Sequence, residues 1–209
     1  MSRTILVATT NPGKLAELSA MLAANVVFKN LADFPEIPEV AEDGLTFEEN
    51  AYKKALGYAK ATGLWTIADD SGLVIDALDG APGVHSARFA GEKTYDRTLI
   101  DHKNIAKVLD LLKQTPAEKR TARFLCSLCL ATPDQVLIQT QGKFEGLITE
   151  HQIGTNGFGY DPIFFVPHLE KTVAQLSSEE KNAISHRGTA IRNLKPLLTD
   201  LLGKQKADM

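Results

Sequence analysis

The 209-residue chain is 44% hydrophobic and 23% charged, with a formal net charge of −3 and both signs interspersed. This is the balance of an ordinary globular protein with enough apolar residues for a core, and it excludes the basic excess of a general nucleic-acid or membrane-surface binder. No apolar run approaches the ~20 residues that span a bilayer. The opening MSRTILVATTNPGK has too short an apolar stretch for a signal peptide, so a single cytoplasmic domain over residues 1–209 is expected.

Residues 4–9, TILVAT, are a β-branched apolar run that predicts a buried first strand. The turn TNPGK follows. Then comes KLAELSAMLAA, with Leu15, Leu18, Met21 and Leu22 at helical spacing. A strand end, small residues, a helix N-terminus and a lysine together have the physics of a phosphate cradle. The same turn also serves as a plain connection, and it does not have the form GxxxxGK[ST].

Residues 26–28 predict a short second strand, and NLADFPEIPEVAEDG, rich in proline and carboxylates, a loop. Thr46 and Glu49 predict a capping box that opens a helix closed by Gly63. Residues 65–68 form a strand that stops at Asp69-Asp70-Ser71-Gly72, and residues 73–78 resume an extended pattern. Asp, Ser and Gly favour turns, which is one reading of the pair. Two adjacent carboxylates also repel unless a cation sits with them, so a metal site is the other.

A loop, DGAPGVHSARFAG, precedes a helix over 98–113. Three strand candidates follow, ARFLCSLCLAT, VLIQTQG and FEGLIT. Cys126 and Cys129, the two cysteines of the chain, have CxxC spacing. In a strand, residues three apart face opposite sides, and no second Cys/His pair completes a zinc site, so both are read as core thiols. GTNGFGYD places three glycines and two aromatics in eight residues, which is either a flexible loop or backbone held close to a ligand ring.

PIFFV predicts a further strand. The remainder, SSEEKNAISHRGTAIRNLKPLLTDLL, reads as mostly helical, with a capping box at Ser177 and Glu180, a break at Gly188 and a kink at Pro196. Lys181, His186 and Arg187 are either solvated helix charges or ligand contacts, and in an unbroken helix 181 and 186 lie on different faces. Early alternation of strands and helices, followed by consecutive strands, argues for an α/β fold with a mixed sheet flanked by helices. A serine hydrolase is disfavoured, because DDSG lacks the GxSxG elbow and no order of residues pairs Ser71 with His85 or His186.

Taken in order, TTNPGK, EDGLTFEENAYKKA, IADDSGLVIDALDGAPGVHSARFAG, GFGYDPIFF and EEKNAISHRG resemble the inosine/xanthosine triphosphate pyrophosphatase family over nearly the whole chain. The resemblance implies an elongated mixed sheet forming two α/β lobes with a cleft between them, a Mg²⁺ cofactor and a homodimer. It implies hydrolysis of ITP, dITP and XTP to the monophosphate and pyrophosphate, with a small nucleotide as ligand rather than nucleic acid or membrane.

Carried onto this chain, the resemblance puts Thr9, Thr10, Asn11, Pro12, Gly13 and Lys14 around the triphosphate, and Lys54 facing the phosphates. Glu42 and Asp70 become metal ligands, Asp70 is also the proton acceptor, and Ser71 is a substrate contact. Phe158, Gly159, Tyr160, Asp161, Lys181, His186 and Arg187 become substrate-binding, with Phe158 stacked on the base and His186 and Arg187 reading the 6-oxo group. Asp69 either holds a water on the metal or caps a turn. The stretch EKTYDRTLIDHKN after Gly91 is longer than the family's, and Pro196 is unusual in its last helix. The rival readings are a pyrophosphatase of other nucleotides and a non-catalytic nucleotide-binding module.

Overall fold

The computed structural model describes residues 3–9, 12–22, 26–92, 94 and 96–207. Thr10 and Asn11 lie outside the described residues. Seven strands form one sheet in the order β2-β1-β3-β4-β5-β6-β7. The strands are β1 (Arg3–Val7), β2 (Val26–Asn30), β3 (Trp65–Ile75), β4 (Thr121–Ala131), β5 (Val136–Ile148), β6 (Phe164–Val166) and β7 (Lys171–Thr172). Among the described residues five α-helices accompany them: α1 (Pro12–Leu22), α2 (Phe47–Thr62), α3 (Arg97–Leu112), α4 (Ser178–Ile184) and α5 (His186–Ala207). β1 runs parallel to β2 and β3, whereas β6 runs antiparallel to β5 and β7, so the sheet is mixed as expected. Among the described residues no helix is long and apolar enough to cross a membrane.

The chain divides into two compact units, one of Met1–Asp70, Cys126–Gly142 and His186–Met209, the other of Ser71–Leu125 and Lys143–Ser185. In the first unit β1 is buried on both faces, which is why it reads as a continuous apolar run rather than an alternating one. Ile5 and Val7 pack with Leu18 and Leu22 of α1 and with Ala190, Ile191, Leu194 and Leu198 of α5. Leu6 faces the other way, onto Ala51, Ala55 and Ala59 of α2. Cys126 packs in the first of these cores and Cys129 in the second, on opposite faces of β4.

Helix α2 begins at Thr46, whose hydroxyl accepts from the Glu49 amide at 3.1 Å, and ends at Gly63 in the left-handed region (φ 70°). The expected capping box is half formed, because the Glu49 carboxylate accepts from the Leu45 amide at 2.7 Å rather than from Thr46. The box at Ser177 and Glu180 is complete.

The second unit closes around Phe164, whose ring lies 4.5 Å from Phe124 and 5.3 Å from Phe144. Leu73, Ile75, Ile105, Val108 and Leu112 complete that core with Ile163, Val166 and Val173.

Four expectations are corrected. Asp69 to Gly72 do not form a turn, since β3 runs unbroken from Trp65 to Ile75. The two strands expected over 136–149 are one, β5, because Thr140, Gly142 and Phe144 alternate inward through the glycine that suggested a break. The strand expected at 162–166 is only three residues long and follows a 3-10 turn over Asp161–Ile163. The helix break falls at Ser185, which is extended (ψ 157°), and not at Gly188, so His186 and Arg187 become the first turn of α5. That helix continues through Pro196 to Ala207.

Candidate active site

In the first unit the sequence places three carboxylates, Glu42, Asp69 and Asp70, among three cations, Lys14, Lys54 and Arg187. β3 presents the two aspartates to opposite sides, because successive strand residues alternate. The Asp69 carboxylate, 3% exposed, accepts from Lys14 Nζ at 2.8 and 3.1 Å and from the Arg187 guanidinium at 3.5 Å. Asp70 Oδ2 accepts from the Asn50 side-chain amide at 2.9 Å. Lys54 Nζ donates to Glu42 at 3.0 Å. Further out, Lys53 pairs with Asp43 at 2.8 Å in solvent.

The neighbours drive the two aspartates' acidities apart. Burial alone would raise Asp69, but Lys14, then Arg187 and Lys54, outweigh it and hold the carboxyl well below the usual carboxylate range. Burial raises Asp70, opposed by Lys54 and Asn50 and reinforced by the charges of Glu42 and Asp69, so its net shift is upward. Burial would lower Lys54, yet Asp69, Glu42 and Asp70 together hold it above its ordinary value. Glu42, Lys54, Asp69 and Asp70 are therefore electrostatically one cluster.

The remaining matched positions of this unit lie close by in sequence or structure. Thr9 is half-buried just after β1, its amide donating to Val7 O at 2.8 Å. Pro12 and Gly13 are the first two residues of α1, where proline's fixed φ suits the helix start. His186 and Arg187 are buried at the head of α5.

The second unit carries the other matched residues. Ser71 is the half-buried residue of β3 that opens this unit. The loop before β6 holds Phe158, a residue 46% exposed, with Lys181 Nζ 4.3 Å over its ring. Asp161 Oδ2 accepts from Lys181 at 2.5 Å and from the Phe158 amide at 2.9 Å. Gly159 is left-handed (φ 60°). The Tyr160 side chain is committed to the core, its hydroxyl donating to Ser86 O at 2.8 Å and pushed up in pKa chiefly by burial. An exposed aromatic ring with a cation beside it suits stacking on a flat heterocycle.

Sequence reading missed three residues that shape these groups. Asn50, fully buried, bridges Asp70 and the Gly44 amide, which donates to Asn50 Oδ1 at 2.8 Å. An asparagine on the inward face of an amphipathic helix was the available signal. Gly142 has no room for a side chain, since a Cβ there would lie 2.0 Å from the His186 carbonyl oxygen. Gly157 (φ 79°) is similarly cramped, a Cβ falling 2.0 Å from Asp161 Oδ2.

A mixed open sheet that carries a carboxylate pair amid lysines, with an exposed aromatic loop, defines an α/β protein equipped for phosphate chemistry and for a planar ligand. The chain belongs to the Ham1 family, whose model matches residues 5–197. It is 51% identical over 191 residues to the dITP/XTP pyrophosphatase of Shouchella clausii, covering 91% of this chain and 94% of that protein. The HAM1 protein of Coxiella burnetii is similar in structure, with a TM-score of 0.86 and 42% identity over 95% of this chain and 99% of that one. The Staphylococcus aureus Ham1 protein gives a TM-score of 0.85 and 41% identity at the same coverage, 95% and 99%.

Proposed function

We propose that this protein hydrolyses the non-standard purine nucleoside triphosphates ITP, dITP and XTP to the monophosphate and pyrophosphate, removing them before they enter DNA or RNA. The observation that carries the reading is the divergence of two adjacent aspartates, one locked between cations and the other raised in pKa and held by an amide, in a chain about half identical to proteins named dITP/XTP pyrophosphatase.

Asp70 is the general base. A carboxylate whose proton affinity is raised accepts a proton from water better than one held far below the usual range, which excludes Asp69 from that role. Asn50 holds Asp70 Oδ2 and thereby sets the direction of the carboxylate. Lys14 and Lys54 present ammonium groups for the polyphosphate, with Thr9, Thr10, Asn11, Pro12 and Gly13 supplying the strand-to-helix turn around it. Ser71, His186 and Arg187 are further substrate contacts. Phe158 stacks on the base, with Gly159, Tyr160 and Asp161 shaping its loop and Lys181 beside it.

The donor set fits Mg²⁺. Glu42 and Asp70 are hard oxygen ligands that repel each other. Among the described residues no three His, Cys, Asp or Glu side chains are grouped to hold a metal by themselves. One or two carboxylates plus substrate phosphate is the usual Mg²⁺ arrangement. When bound, the ion would offset phosphate charge and polarise the phosphoryl oxygens. The charge balance points the same way, since three carboxylates already offset Lys14, Lys54 and Arg187, leaving a triphosphate of about four negative charges in need of a further cation.

A cytoplasmic homodimer is the accompanying reading, supported by the family resemblance and checked by light scattering. The activity is tested by measuring pyrophosphate and phosphate release from ITP, XTP, ATP and GTP, with Mg²⁺ and with excess chelator. Pyrophosphate from ITP and XTP at about tenfold or more the rate from ATP and GTP, abolished by chelation, is the expected result. Equal rates on ATP and ITP would overturn the specificity, and release of phosphate would overturn the reaction.

A further inference from the structure

The loop that carries Phe158 is strapped on both sides. Upstream, the Thr155 and Asn156 amides donate to Ala174 O at 3.2 and 3.0 Å, and the Asn156 side chain donates to Leu176 O at 3.0 Å. Downstream, Tyr160 reaches Ser86 O. Between these straps the backbone turns through two left-handed glycines, Gly157 and Gly159, which no local preference pins to one conformation. The two amides at the apex, those of Phe158 and Gly159, are each taken by a carboxylate. Phe158 is held by Asp161 from within the loop. Gly159 is held by Asp101 of α3, whose Oδ2 accepts its N–H at 2.8 Å.

Asp101 stands outside every motif that marks the site and 58 residues from Gly159 in sequence. Its side chain is 17% exposed, and its other oxygen lies 3.6 Å from Arg97 Nε one turn earlier on the same helix. α3 itself is rigidly seated through Ile105, Val108 and Leu112 in the core of this unit. Asp161 is already shared between Lys181 and Phe158, so it adds no anchor to a second element at the glycine. Asp101 supplies that anchor, a charged acceptor on a packed helix that fixes the hinge immediately after an exposed aromatic ring.

We infer that Asp101 is a positioning residue for the nucleobase, setting the plane of Phe158 through the Gly159 amide without itself touching the substrate. The inference rests on Phe158 being the base platform. Loss of the acceptor frees the Gly159 peptide to rotate. The ring then samples orientations of which only some stack, which weakens base binding while leaving the phosphate chemistry of the other unit intact. Charge is not the operative feature. An amide oxygen at the same reach also accepts the bond.

The test compares Asp101→Ala, Asp101→Asn and Phe158→Ala by steady-state kinetics on ITP, by inhibition with inorganic tripolyphosphate, which has no base, and by thermal midpoint. Asp101→Ala should raise KM for ITP about tenfold with kcat within about twofold, the upper range expected for the loss of one hydrogen bond. Tripolyphosphate inhibition should be unchanged, and Asp101→Asn should restore most of the lost KM. If Asp101→Ala folds poorly, Asp101→Ser, too short to reach Gly159, takes its place in the same assay.

An unchanged KM in Asp101→Ala beside a raised KM in Phe158→Ala overturns the role of Asp101 and leaves the base platform standing. An unchanged KM in Phe158→Ala overturns the platform itself. Equal weakening of ITP and tripolyphosphate by Asp101→Ala reduces Asp101 to general support of the fold and also overturns the inference, as does a KM in Asp101→Asn as poor as in Asp101→Ala.

Discussion

Asp69 and Asp70 are chain neighbours on β3 that face different partners, Asp69 meeting Lys14 at 2.8 Å and Asp70 meeting Asn50 at 2.9 Å. The first contact is an ion pair and the second a neutral donor on a carboxylate, so substitution should separate a structural acid from a chemical one. Asp70→Asn should lower turnover on ITP roughly 10²–10⁴-fold, the range for a lost general base. Its thermal midpoint in chelator should stay level or rise. Asp70's proton affinity is raised in the folded state, so its ionised form lowers stability once pH exceeds its folded pKa, and the neutral amide removes that cost. A variant that keeps more than about a tenth of wild-type turnover would show that Asp70 is not the base.

Asp69 carries the opposite sign. Its folded pKa is depressed, so it contributes stability that is present above the unfolded carboxylate value of about 4 and is lost as pH falls further. Asp69→Ala removes the carboxylate to which Lys14 and the buried Arg187 donate and should cost about 3–5 kcal/mol at neutral pH, the penalty for breaking a buried pair. The acid limb of its stability curve should be shallower than wild type's. Urea midpoints between pH 2.5 and 7 measure both effects. Parallel acid limbs in the two proteins would refute the assignment.

Asn50→Ala should injure both fold and rate, because it removes the donor on Asp70 and leaves the buried Gly44 amide without its acceptor. The stability loss should be about 1–3 kcal/mol for the orphaned Gly44 amide. Turnover should fall about tenfold as Asp70 loses its fixed direction, a shift worth 1.4 kcal/mol of barrier. Wild-type kcat in a well-folded variant would count against any part for Asn50 in orienting the base.

Cys126 and Cys129 should be chemically silent. Burial pushes both thiols up to about 12, and they lie in separate cores on opposite faces of β4. A thiol-disulfide reagent at pH 8 should label neither in the folded protein and both after denaturation. Either cysteine changed to alanine should cost ~1–2 kcal/mol with turnover per folded molecule unchanged. Rapid labelling of the native protein would reopen the redox reading of the CxxC spacing.

What was legible in the sequence was whatever local chemistry decides. The apolar run of β1, the Thr46 cap, the Gly63 stop and the opposed cysteines all follow from propensity and periodicity, and each stands in the fold. Residues 69–72 misled because Asp, Ser and Gly favour turns by bonding to nearby backbone, whereas here Lys14, Asn50 and Arg187 arrive from distant positions to satisfy the acids in mid-strand. Phe158 of GTNGFGYD stood out in the sequence because solvated loops rarely carry aromatics, and it is exposed in the fold. Asp101 did not stand out, since one acid on a solvent-edged helix carries no signal until the loop it anchors is folded against it. Gly142 was misread for the same reason, as a strand break rather than a point of contact.

That contact supports a last prediction. β5 presses on the first turns of α5 through three bonds or near-contacts: the Thr140 hydroxyl donates to Ala190 O at 3.1 Å, the Asn193 side chain donates to Gln141 O at 2.9 Å, and Gly142 abuts the peptide of His186. At Gly142 an added Cβ would meet the His186 carbonyl oxygen at 2.0 Å and the Ala190 amide nitrogen at 2.6 Å, both backbone atoms that no rotamer change can clear. Gly142→Ala must therefore push the head of α5 outward, and Arg187 with it, away from Asp69. Overpacking of this kind costs about 1–3 kcal/mol or more, so the thermal midpoint should fall. KM for ITP should rise as well, because His186 and Arg187 are displaced, and the double variant Gly142→Ala/Arg187→Ala should have a KM no worse than Arg187→Ala alone if the displacement acts through that arginine. Fully additive effects in that cycle would show that the strand's pressure on α5 does not act through Arg187.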